Sequence, residues 1–196
     1  MRILDTLRLS AYVLIAFISV NTSLQAQRYA LQKSASQMEV LGTSNIHDWE
    51  LTVEDIAGSM QVTETNNKLE GISKLHLAIL AESLKSGKSG MDKNTFKALN
   101  TSAYKNLEYD LKKVESIKAK EDGNYVIQTT GDLMIAGVTK QVSIVFDANV
   151  MPGYITLTGK HVLNMTHYKI DPPKALFGTI TTGEMVTVKF KTTFIN

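Results

Sequence analysis

The stretch "NYVIQTTGDLMIAGVTKQVSIVFDANV", residues 124–150, decides the architecture of this chain. Tyr125, Ile127, Thr129, Leu133 and Ile135 fall on alternate positions in its first half, and Val142, Ile144, Phe146, Ala148 and Val150 do so in its second. A strand sends successive side chains to opposite faces, so each half reads as a strand with one apolar side. Between them "AGVTK" (136–140) supplies Gly137, a residue that enters the positive-φ region of a tight reversal without steric cost. The unit is therefore an antiparallel hairpin, buried on one face.

The same period runs outward in both directions. "ISKLHLAIL" aligns Leu75, Leu77 and Ile79, and "YITLTGKHVLNM" aligns Ile155, Leu157, Gly159, His161, Leu163 and Met165. "MVTVKFKTTFI" aligns Val186, Val188, Phe190, Thr192 and Phe194, with lysines and threonines facing water. Turn chemistry at "EDGN" (121–124), "MPGY" (151–154) and "TTGE" (181–184) separates the strands. One segment breaks the pattern: "GMDKNTFKALN" puts Met91, Thr95 and Ala98 on one helical stripe, with Phe96 and Leu99 beside it and Asp92 in the first turn. The sum is about eight strands and one short helix. Strands of this kind form a sandwich or close into a barrel, and an eight-stranded barrel is either filled by side chains or holds one small ligand.

Composition narrows the function. The chain has 196 residues and a formal net charge of +2, so it has no electrostatic footprint for nucleic acid. It has no cysteine, hence no disulfide, thiol nucleophile or lipidated cysteine. Arg2 and Arg8 precede an apolar run over residues 9–20, shorter than the roughly 20 residues a spanning helix takes. "SLQAQ" then offers cleavage after Ala26. Residues 1–26 read as a cleavable export signal and 27–196 as one domain without a transmembrane segment, periplasmic or secreted.

Four stretches, taken in order, resemble one family. "YALQKSASQMEVLGTSNIHDWEL" (29–51) is similar to the first strands of the YceI family, the lipocalin-like polyisoprenoid-binding proteins exported by bacteria. "MDKNTFKALNTSAYKNLEYDLKKV" (91–114) resembles its helix and following strand, and "GDLMIAGVTKQVSIVF" (131–146) its Gly-Val-Thr-Lys hairpin. "MTHYKIDPPKALFGTITTGEMVTVKFKTTF" (165–194) resembles its C-terminal hairpin. Gln141 and Asn106 stand where the family commonly has proline. The resemblance implies an all-β fold, an eight-stranded antiparallel lipocalin-like barrel with one short α-helix as a lid, and an apolar tunnel for a long isoprenoid chain. It implies a binding protein, not an enzyme, that needs no cofactor and no metal. Its partner would be a polyisoprenoid or similar long apolar lipid; a homodimer is compatible with the sequence, which does not fix the oligomeric state. The side chains expected to meet the ligand are Trp49, Leu75, Leu77, Ile79, Phe96, Leu133, Ile144, Phe146, Leu157, His161, Leu163, Phe177 and Phe190.

Each of these residues also has a plainer reading. Apolar strand faces are core by default. His161, on an apolar face, either hydrogen-bonds a ligand head group or pairs with a neighbouring hydroxyl. Gly159 marks a bend or a close approach of ligand to backbone. His47 and Asp48 are raw material for acid–base or metal chemistry, but a zinc site takes three or four ligands and His76, His161 and His167 share no ligand spacing. His47 and Asp48 read better as a strand-entry turn, from which Trp49, the only tryptophan, turns inward to close one end of the barrel. Pro172 and Pro173 stiffen the loop that carries Leu176 and Phe177, either as a flap at a ligand mouth or as a packed crossover. Lys85, Lys88 and Lys93 flank the helix and face a pyrophosphate head group, a membrane surface or only water. No Gly-x-Ser-x-Gly elbow and no phosphate-binding glycine loop is present. Two rival functions remain: a small hydrolase or isomerase using His47 and Asp48 or His161, and a stress-protective envelope protein with no ligand.

Overall fold

A computed structural model describes residues 26–66 and 68–196. Segment 1–25, which carries the expected export signal, lies outside the described residues. Twelve strands form one antiparallel sheet. They are β1 (Gln27–Leu31), β2 (Gln37–Ser44), β3 (Asp48–Val53), β4 (Ile56–Thr65), β5 (Lys68–Leu80), β6 (Leu84–Lys85), β7 (Asn106–Ala119), β8 (Asn124–Ile135), β9 (Val138–Met151), β10 (Tyr154–Asn164), β11 (Lys174–Ala175) and β12 (Ile180–Ile195). Helix α1 (Ser89–Ala98) lies between β6 and β7 in the chain.

Eight of the strands close a ring in the order β1-β4-β5-β7-β8-β9-β10-β12, and β1 returns to β12 through Ala30↔Ile195 and Leu31↔Phe194. The expected eight-stranded barrel is therefore present. It is closed fully at one end only. β1 and β2 follow one another along the edge of β12, and β3 and β4 follow one another in the next position. β2, β3 and β6 leave the ring as a branch that ends at β6. At that end β5 has already turned away into β6, and α1 bridges from β6 to β7 across the gap.

The expected hairpin is present and pairs its inward faces, Tyr125↔Ala148, Ile127↔Phe146 and Thr129↔Ile144. Ala136 and Gly137 turn it with φ of 49° and 77°, the positive pair of a type I′ reversal. "EDGN" and "MPGY" are likewise hairpin turns. "TTGE" is not: it lies inside β12, where the register against β2 shifts between Thr182 and Val186. Gly183 there marks a bulge in a continuing strand.

The inward residues form two clusters. Toward the closed end Tyr29, Met60, Tyr125, Ile127, Phe146 and Phe194 meet and fill the interior. Toward the branched end the buried residues are mostly shorter, among them Val53, Ala81, Leu84, Ile135 and Val186. Large rings close the floor, and smaller side chains do not reach across the upper half.

Candidate functional site: an apolar tunnel in two chambers

The upper half of the barrel is hollow. An outer chamber of about 640 Å³ opens beside α1 and is walled by β2, β3, β12 and the helix. An inner chamber of about 110 Å³ continues down to Leu75, Tyr109, Phe146, Leu157 and Thr192. Val40, Leu84, Leu107, Ile135, Leu163 and Val188 line both, so the two are successive lengths of one tunnel.

The helix presents the expected stripe. Met91, Thr95, Ala98 and the following Leu99 line the outer chamber. Asp92 secures the approach to α1 from outside, accepting from the Ser86 backbone N–H at 2.8 Å and from the Ser86 hydroxyl at 2.6 Å. Those two bonds hold its carboxyl below the usual carboxylate range. Phe96 does not line either chamber. It sits under the Lys85 ammonium, 4.6 Å from the ring centroid, in a cation–π contact.

The other expected ligand contacts divide as follows. Leu75, Leu77, Ile79, Leu133, Ile144, Phe146, Leu157, His161 and Phe190 line the inner chamber. Leu163 lines both chambers, and Trp49 the outer one. Phe177 lines neither; it is fully exposed on a loop tip, in a left-handed conformation with φ of 55°. The proline loop meets the cavity through Pro173, whose carbonyl accepts from the Thr182 N–H.

Trp49 seats the open end and not the base, which the tyrosine and phenylalanine cluster already closes. Its indole donates to the Thr43 carbonyl at 2.9 Å. Its ring covers Gly42, its partner across the β2–β3 pair, where any side chain would overlap the indole. The preceding turn is built as expected. The Ser44 hydroxyl bonds the His47 carbonyl at 2.7 Å, and His47 Nδ1–H donates to the Asp48 carbonyl at 2.8 Å. His47 thus bonds backbone, not the Asp48 carboxylate, and His161 lies in the other chamber, so these three groups form no dyad. Gly159 accommodates aromatic rings instead of a ligand: Phe190 and Phe146 pack over it, edge to face at 6.4 Å.

Three polar side chains of the inner chamber, Glu108, His161 and Thr192, have no partner among the described residues. His161 is half-buried and forms no hydrogen bond among the described residues, contrary to the expected pairing with a hydroxyl; burial pushes its imidazole below the usual histidine value. The Thr192 hydroxyl is fully buried and unpaired. By contrast, Tyr109 OH bonds the Thr129 hydroxyl at 3.1 Å. Of the three lysines that flank the helix, Lys88 and Lys93 line the outer chamber and Lys85 does not; Lys174 joins them, which the sequence did not signal because its loop position has no periodicity. The wall residues missed from the sequence, such as Val40, Leu84 and Leu107, sit on β2, β6 and β7, where alternation is short or interrupted.

A second group was also missed. On the outer face Ser59, His76 and Asp110 stand opposite one another on β4, β5 and β7, with His76 Nδ1 2.8 Å from Asp110 Oδ1. Ser59 makes no hydrogen bond to His76 and none of the three lines the tunnel, so the row lacks the serine–histidine contact a nucleophile needs. Among the described residues no group of three or more His, Cys, Asp or Glu could hold a metal ion, and no helix is long and apolar enough to cross a membrane.

A closed antiparallel barrel with an apolar tunnel and a helix at its mouth defines a lipocalin-like class. Residues 29–194 match the YceI-like domain model, and the chain belongs to that family. Solved structures share the fold at low identity. BcnA from Burkholderia cenocepacia superposes with a TM-score of 0.65 at 13% identity, covering 83% of this chain and 98% of its own. A polyisoprenoid binding domain from Saccharophagus degradans, implicated in plant cell wall breakdown, gives 0.64 at 12% identity, with 85% and 97% covered. The Campylobacter jejuni YCEI protein gives 0.51 at 14%, with 71% and 81% covered. No curated protein sequence matches the chain.

Proposed function

We propose that this protein is exported to the periplasm or secreted, and that there it sequesters or carries a long apolar lipid, of polyisoprenoid type, in the barrel tunnel. The observation that carries the reading is the continuity of the two chambers through six shared apolar residues. A narrow apolar bore selects a long, thin ligand. Each methylene withdrawn from water contributes about 0.8 kcal/mol, so a chain several carbons deep binds without any specific polar contact. The tail occupies the inner chamber, and the head group stays in the outer chamber near Lys88, Lys93 and Lys174. The Saccharophagus relative, a polyisoprenoid binding domain, supports the ligand class. Binding by burial calls for no bond making, which agrees with the absence of a His47–Asp48 dyad.

The test is solvent extraction of the purified protein and mass spectrometry of the extract. A long-chain isoprenoid lipid near one per protein is expected. A protein that yields no lipid and takes up no added polyprenol would overturn the proposal in favour of a ligand-free envelope role. Cell fractionation tests the location; protein retained in the cytoplasm with residues 1–26 intact counts against export.

A further inference from the structure

We propose that the open end of the barrel is a docking surface for an anionic lipid bilayer. Two apolar side chains project there, uncovered by any of the described residues. Ile46 caps the β2–β3 turn at 58% exposure, and Phe177 stands fully exposed in the loop between β11 and β12. Phe177 holds a left-handed φ of 55°, a region that L side chains enter at a cost, and no contact inside the protein compensates for it.

The two tips are locked to each other. Asn45 donates its side-chain N–H to the Thr179 carbonyl at 2.8 Å, accepts from the Thr181 N–H at 3.0 Å, and donates its own backbone N–H to the Thr181 carbonyl. Ile46 and Phe177 therefore advance as one rigid prong. Lys88, Lys93 and Lys174 stand around the same mouth, exposed, and none forms an ion pair among the described residues. The mouth's chamber has no acidic lining. The acidic residues within two positions of that lining are Glu39, Asp48, Glu50, Glu82, Asp92, Glu108, Asp171 and Glu184, and none of them lines the chamber; Glu82 accepts from Thr101, Asp92 is held by Ser86 and Glu184 accepts from Asn164.

Isolated apolar tips inside a ring of lysines fit a bilayer interface better than a protein partner. Protein interfaces bury contiguous apolar cores depleted of lysine. A bilayer takes single Ile and Phe side chains below its phosphates while lysine stems lie along the surface with their charges outward. Docked in this way, the tunnel mouth opens directly onto the acyl region. The inference goes beyond lipid carriage: docking and cargo can fail separately.

Every described strand and both core clusters lie within 27–195, so a chain starting at Gln27 keeps the described barrel and lacks the apolar run 9–20, whose own affinity for bilayers would confuse the test. This form is co-sedimented with vesicles of phosphatidylcholine alone and with phosphatidylglycerol added. Binding to the anionic vesicles only, weakened by salt, is expected. Ile46→Ser with Phe177→Ser should lose roughly tenfold or more in binding. Charge reversal of Lys88, Lys93 and Lys174 to Glu should remove the preference for anionic vesicles. Uptake of polyprenol from detergent solution, measured in parallel, reports on cargo alone. A Trp49→Phe, Phe177→Trp form carries its single tryptophan at the loop tip and reads insertion directly: its emission should shift to the blue on anionic vesicles. An unshifted emission, or a parent protein that ignores anionic vesicles, overturns the proposal and leaves a protein partner as the occupant.

Discussion

At position 161 a histidine faces an apolar chamber with no partner, and its imidazole is held below the usual value by burial. The folded state therefore disfavours the charged form. As pH falls below the ordinary imidazole value, about 6.5, the unfolded chain takes up this proton first and stability declines. The decline stops once pH is below the lowered folded value. His161→Phe should remove this part of the acid sensitivity, seen as a smaller drop in the urea midpoint between neutral and mildly acidic pH than in the parent. Lipid affinity should fall only at lower pH, once the pH drops below the lowered folded value, and in the parent only, since a charged imidazole lies badly against an alkyl chain. Thr192 presents the opposite case. Its fully buried, unpaired hydroxyl carries a desolvation penalty, and Thr192→Val keeps the shape. That variant should gain about 1 kcal/mol in denaturant unfolding. Gly42→Val should destabilise by about 1–3 kcal/mol, because the new side chain must displace the Trp49 indole, with a shift in tryptophan emission as the companion readout.

At the scale of elements, helix α1 was legible in the sequence together with the face it shows. Met91, Thr95 and Ala98 share a stripe in the sequence and the outer chamber in the fold. Ala98→Phe should close the mouth: extractable lipid should fall by tenfold or more, with the thermal midpoint unchanged. Phe96→Ala should leave lipid content intact, because that ring packs under Lys85. The stretch 181–184 shows where local reading stops. Gly183 with polar neighbours has the composition of a turn, yet β2, some 140 residues away in sequence, continues the pairing on both sides of it. Whether a glycine breaks a strand or bulges it depends on that distant partner. Trp49 is a related case: alternation with Leu51 and Val53 indicated that it turns inward, but which end of the barrel it faces follows from the long-range pairing of β2 with β12.

For the whole molecule, alternation revealed which side chains point inward but not how far they reach. The closed end is full because Tyr29, Tyr109, Tyr125, Phe146 and Phe194 meet there from five different strands. The open end is hollow because Trp49 is the only Phe, Tyr or Trp side chain among the described residues of its wall. That difference lies in the pairing of distant strands, so a tunnel and a filled core look alike along the chain. Phe194, wholly buried where β12 meets β1, is the pivot of closure. Phe194→Ala should cost about 3–5 kcal/mol in denaturant unfolding and expose the β1–β12 seam to amide exchange.

The same seam sets a timetable. β1 begins at Gln27 and its β12 partner ends at Ile195, so among the described strands the last must find the first. No partial chain can complete the ring, and pairing at such sequence separation is slow. The barrel can shut only once β12 has been made and reaches β1.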